Sequence, residues 1–118
     1  MEPFAVSVLP VAKQDEWREF ADEIASGERS EAHKEMLRRL GIKREHVRAQ
    51  PTPDGAIVVL VWEGVDQERV GELMGEMLQN PRSDHERYVG GHVVPNLHGI
   101  DLSAGPPPMM ETVATIEP

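Results

Sequence analysis

The segment Pro51-Thr52-Pro53-Asp54-Gly55, followed by Ala56-Ile57-Val58-Val59-Leu60-Val61-Trp62, decides the fold. Proline presets φ and Asp-Gly tolerates positive φ, so the first five residues read as a turn. The next seven are apolar and rich in β-branched side chains, which reads as a strand. Upstream, Glu45 to Gln50 alternates: Val47 and Ala49 point one way, and His46, Arg48 and Gln50 the other. Strand, turn and strand make a β-hairpin. The second strand is apolar on both faces, with Ala56, Val58, Leu60 and Trp62 on one and Ile57, Val59 and Val61 on the other. A sheet covered by helices on one side normally alternates apolar with polar residues. The second face therefore needs a cover of its own, and a second copy of the chain is the expected one. Leaving three aliphatic side chains in water forfeits ~1.5–3 kcal/mol each.

Working outward from the hairpin, Phe4 to Val11 suits a first strand, with Pro10 at its end. Trp17, Phe20, Ala21 and Ile24 form a helical stripe at i, i+3, i+4, i+7, interrupted by Ser26-Gly27. Ser30 is the expected N-cap of a second helical piece carrying Ala32, Met36, Leu37 and Leu40, and Gly41 is its expected C-cap. After the hairpin, Asp66 caps a helix that runs to Asn80 and is ended by Pro81, with Val70, Leu73, Met74, Met77 and Leu78 as its stripe. Gly71 and Gly75 within it permit close approach to the sheet. Residues 83–108 read as an irregular insert. Asp84 to Val89 suits a short helical turn, whereas Gly90-Gly91 and Pro95 argue against its continuing, and Ala104 to Pro108 reads as a linker. Glu111 to Ile116 is expected to be a last strand. The whole chain, 1–118, is thus expected to be one α+β domain on the ferredoxin-like βαββαβ plan with an antiparallel sheet, dimerising into an α+β barrel.

Composition narrows the function. The chain of 118 residues carries 21 acidic and 12 basic side chains, a formal net charge of −9. Nucleic-acid binding needs a basic patch, and the densest basic stretch, Arg38 to Arg44, is flanked by acids. No nucleic-acid partner is expected. There is no cysteine, which excludes disulfides, thiolate metal sites and a cysteine nucleophile. No apolar stretch approaches the ~20 residues that span a bilayer, so no membrane partner is expected. The N-terminal residues show no basic region before an apolar run, so no secretory leader is expected and the location is read as cytoplasmic.

Three further stretches carry a resemblance. Leu40-Gly41-Ile42-Lys43-Arg44-Glu45 is followed by Gln50 to Gly55 and an apolar strand ending in Glu63. Later come Asp84-His85-Glu86-Arg87-Tyr88 and Leu97-His98-Gly99-Ile100-Asp101-Leu102. Across residues 4 to 103 this pattern resembles small bacterial proteins of the dimeric α+β barrel superfamily. That superfamily includes cofactor-independent monooxygenases, polyketide cyclases, isomerases, haem-handling enzymes and proteins without known activity, and the last two stretches resemble an uncharacterised branch of it. The resemblance implies a fold and a homodimer, and it brings no catalytic motif onto any residue of this chain.

The candidate chemistry comes from the residues. Of the five histidines, His85, His92 and His98 crowd the insert. Histidine titrates near neutrality and serves acid–base work, so His85, Tyr88 and His92 are the candidate catalytic residues. His46 and Arg48 share a strand face, where the arginine would hold an anionic or enolate oxygen. With Trp62, Asn96 and His98 they make the candidate substrate-binding set. No dense ligand motif, P-loop, dinucleotide fingerprint or serine elbow is present, so neither metal nor cofactor is expected. The reading is an oxygenase, cyclase or isomerase that needs no cofactor and acts on an aromatic or polyketide-like compound. The alternative is a non-catalytic dimer that binds a ligand or regulates a partner.

Overall fold

A computed structural model of the chain describes residues 2–105 and 107–118. Pro106, inside the expected linker, lies outside them. The elements, in chain order, are β1 (Phe4–Pro10), α1 (Gln14–Ala25), α2 (Ser30–Arg39), β2 (Arg44–Thr52), β3 (Gly55–Glu63), α3 (Gln67–Gln79), α4 (Asp84–Tyr88) and a π-helix, α5 (Val89–Leu97). The three strands form one antiparallel sheet in the order β1-β3-β2. This is the ferredoxin-like α+β arrangement without its fourth strand.

The hairpin turns at Pro53-Asp54, with Thr52 paired to Gly55. Gly55 sits at φ 154° and Gly41 at φ 75°, a region that L side chains rarely adopt. Gly41 therefore closes α2 as a helix-ending glycine should. Asp66 caps α3 by accepting from the Arg69 N–H at 2.7 Å. Ser30 is the first residue of α2 and caps nothing; Arg29 holds the cap position.

All helices pack on one face of the sheet. Val58, Val70 and Leu97 are the largest fully buried side chains, each contributing ~1.5–3 kcal/mol by leaving water. One cluster joins Ala5 and Trp62 of the sheet to Met36, Leu40, Val70 and Met77; another joins Val58 to Trp17, Phe20, Val93 and Leu97. The other sheet face bears Phe4, Val6, Val8, Ile57, Val59 and Val61 and contributes to neither cluster. Phe4 and Val8 are exposed there.

Three expectations give way. Glu111 to Ile116 form no strand. A last strand would pair with the outer edge of β1, and a side chain already occupies that edge: Gln67 Oε1 accepts from the Val6 N–H at 2.8 Å, and its Nε2 donates to the Val6 carbonyl at 2.9 Å. One amide thus satisfies both outward-facing backbone groups at the middle of the strand. The insert is not irregular either. The chain runs from α4 straight into α5, whose i→i−5 winding is shown by the His98 N–H reaching the Val93 carbonyl at 3.0 Å. Pro95 has no N–H to offer an i→i−4 ladder, and the wider winding accommodates it. Gly90 lets this helix lie close on α3, since a Cβ there would stand 3.3 Å from Leu78 Cδ2. Gly71 faces Met109 of the C-terminal segment, 3.3 Å from where a Cβ would stand, rather than the sheet.

Candidate functional site

Between the sheet and the helices lies a cavity of about 120 Å³. An apolar cavity of roughly 150 Å³ in a protein core can hold a benzene-sized molecule. The sheet supplies Ser7, Leu9, Val58, Leu60 and Trp62 to the wall; α1 supplies Trp17 and Phe20; the C-terminal segment supplies Pro107 and Met109. From α5 come Val89, Val93 and Val94, with His98 just beyond. Steps of four to five residues match π winding, which turns these side chains to one side. A groove between α1, α2 and β2 shares Trp17, Ala21, Ile24, His33, Glu45 and Val47 with the cavity wall, so the two adjoin near the β2 edge.

At that junction the apolar wall is broken by a chain of polar side chains. The Trp62 indole N–H donates to Glu45 Oε2 at 2.6 Å. Glu45 Oε1 lies 2.8 Å from His33 Nε2, and His33 Nδ1 lies 2.9 Å from His85 Nε2. Trp62, His33 and His85 are buried. His85 Nδ1, also buried, has no hydrogen-bond partner among the described residues. An ionised carboxylate only accepts, so in that state His33 Nε2 carries the shared proton. The His85 ring stacks on Phe20, with centroids 6.3 Å apart. Its pKa is pushed down from 6.5 to about 4, chiefly by burial and then by the neighbouring His33 and Arg29, with Glu45 opposing. His85 is therefore neutral at physiological pH.

His98 enters from the far end, next to β1. It is buried, and its Nδ1 donates to the Pro10 carbonyl at 2.7 Å. A carbonyl can only accept, which fixes the tautomer and leaves Nε2 as the basic nitrogen. Burial holds its pKa below the usual histidine range, against the Pro10 hydrogen bond, which raises it.

The candidate residues read from sequence therefore separate. His98 and Trp62 line the cavity, and His85 stands behind its wall, bonded to His33. Tyr88 packs over its outside: the Arg29 guanidinium stands 3.7 Å from its ring centroid, and Phe20 lies 6.1 Å away. His92 is partly exposed near Glu16, and the exposed Asn96 binds its ring at 3.1 Å. His46 and Arg48 stand on the opposite face of the sheet, paired in register with Val61 and Val59. His46 contacts Glu63 at 2.5 Å, and Arg48 is exposed. Neither can hold an enolate in this cavity.

Two central groups, His33 and Glu45, escaped the sequence reading, though both left a signal. His33 precedes Met36, Leu37 and Leu40 by three, four and seven residues, on the buried stripe of α2, whereas Ala32 is exposed. Glu45 shares the parity of Val47 and Ala49, which puts a carboxylate on the helix-covered face of β2. No three His, Asp or Glu side chains converge as a metal-ligand group among the described residues, and no helix among them is long and apolar enough to cross a membrane. No family model matches the chain, nor does any curated protein or solved structure.

Proposed function

We propose that the cavity binds a small, largely apolar carbonyl compound and that the Glu45–His33 pair exchanges a proton with it. The protein would then be an acid–base enzyme of the cofactor-independent kind. The observation that carries this reading is the hydrogen-bonded chain His33–Glu45–Trp62 in a mostly apolar cavity wall, with His85 bonded to His33 behind it. Polar groups withdrawn from water cost free energy unless they are paired, so a connected polar chain in a cavity wall is a candidate for function. Two of the carboxylate's lone-pair sites are taken by Trp62 and His33, which leaves others for a ligand. Trp62 and His33 fix its orientation, and His85 extends the path along which a proton can be redistributed.

The test is deuterium exchange at the benzylic hydrogens of phenylacetone in heavy water, followed by proton NMR. The wild-type protein is expected to accelerate exchange. Glu45→Gln keeps an amide in contact with Trp62 and His33 and is expected to lower the catalysed rate about 100-fold or more. A folded Glu45→Gln protein as fast as wild type would contradict the assignment. Saturable binding without any catalysed exchange would favour a non-catalytic ligand-binding protein.

We also propose that a second copy of the chain covers the open sheet face. Ile57, Val59 and Val61 form its apolar centre, flanked by Phe4, Val6 and Val8 on β1 and by Arg44, His46 and Arg48 on β2. The blocked outer edge of β1 directs association to the face rather than to that strand.

A further inference from the structure

We infer that His98 is a second proton-transfer group of the cavity, working at the opposite end from the Glu45–His33 pair. This assigns the substrate to conjugated carbonyl compounds that isomerise by moving a proton between their two ends. The inference rests on the proposed reading of the cavity.

The argument begins with the sheet register. Glu45 pairs with Trp62, whereas Leu9 pairs with Val58, four residues further along β3. Four residues of strand span roughly 13 Å. His33 reaches the cavity beside the first rung, and His98 is tied to Pro10 beyond the second. The two groups therefore serve different parts of a bound molecule. His98 is also built differently from the pair. The Pro10 carbonyl holds its Nδ1–H, so Nε2 keeps its lone pair in a residue that is 5% exposed and lines the cavity. A buried imidazole with one nitrogen anchored and the other unprotonated has the geometry of a general base.

The step balances without a co-reactant. His98 Nε2 takes a proton from an activated C–H at one end of the molecule. The electron pair released moves through the conjugated system to the carbonyl oxygen at the other end. That oxygen takes a proton from the Glu45–His33 pair in its imidazolium–carboxylate form, which leaves a neutral His33 beside the carboxylate. One proton leaves and one arrives, so the product is an isomer of the substrate. The His98 imidazolium and the emptied pair return to their starting states by exchanging protons with water.

4-Nitrophenol tests this, because its O–H stands in for the activated C–H and its ionised form absorbs visibly. Trp17 and Trp62 both line the cavity, so binding is read separately by fluorescence quenching. At a pH where free nitrophenol is mostly neutral, the wild-type complex is expected to show the nitrophenolate band. His98→Asn keeps an amide donor for the Pro10 carbonyl and removes the basic nitrogen. It is expected to retain saturable quenching while losing the band at least tenfold. His98→Gln is the second variant should His98→Asn fail to fold. A band that persists in the folded His98 variants and disappears in Glu45→Gln would overturn the inference and leave the cavity reading standing. Absence of saturable quenching in the wild type would overturn the cavity reading, and this inference with it.

Discussion

His33 and Glu45 show how periodicity can hide a residue of the candidate site. On α2 and β2 they occupy positions that period alone assigns to the core, yet they are polar, so attention to apolar residues passes over them. The histidines of the insert drew notice by crowding, but crowding does not fix direction. His85 and His92 are seven residues apart and would share a face of an α-helix. The change to π winding at Val89 turns them apart, one onto His33 and the other toward Glu16. The buried His85 has a consequence for stability. Its folded-state pKa of about 4 lies below the ordinary 6.5, so between those values the unfolded chain binds more protons than the folded one. Stability therefore rises with pH across that window and is lost as pH falls from about 6.5 toward about 4. His98, lowered mainly by burial, acts in the same direction. His85→Gln can still hydrogen-bond to His33 Nδ1 but does not titrate. Urea midpoints measured at neutral pH and near the lower end of the window should differ less for His85→Gln than for wild type. An equal difference would contradict the assignment.

At the scale of elements, local signals were sufficient where one chain segment sets its own geometry. The hairpin follows from Pro53-Asp54-Gly55 and the strands beside it, the two-piece crossover follows from the Ser26-Gly27 break, and α3 follows from its stripe and the Asp66 cap. They failed where a distant element decides the outcome. Nothing near Glu111 to Ile116 shows that the amide of Gln67, sixty-one residues from Val6, already occupies the edge a last strand would use. Nor do Gly90-Gly91 and Pro95, which disfavour an α-helix when read alone, show that contact with Leu78 of α3 favours a helix there. The strand face to which a residue belongs was legible from alternation. Which face the helices would cover was not, because β3 is apolar on both. Alternation alone therefore leaves the face of His46 and Arg48 open between a cleft and solvent, and the structure puts it on the side of the sheet away from the cavity.

For the molecule as a whole, β3 is apolar on both faces: one closes the cavity, and the other is the face assigned above to the proposed dimer. A homodimer is expected in solution, with a light-scattering mass near twice 13.2 kDa. Val59→Lys places a charge at the centre of the open face and should yield a folded monomer. A wild-type mass of 13.2 kDa at micromolar concentration would contradict the dimer while leaving the cavity untouched. The central claim concerns which side of the sheet handles the ligand's proton, and the chain's five histidines divide cleanly on that point. His33 and His98 line the cavity and His85 is hydrogen-bonded to His33 behind the wall, whereas His46 and His92 stand apart from it. The most direct measurement is the ¹⁵N NMR spectrum of histidine-labelled protein with and without saturating 4-nitrophenol. The ring nitrogens of His33, His85 and His98 are predicted to shift, and those of His46 and His92 to stay fixed. Shifts confined to His46 and His92 would contradict the account.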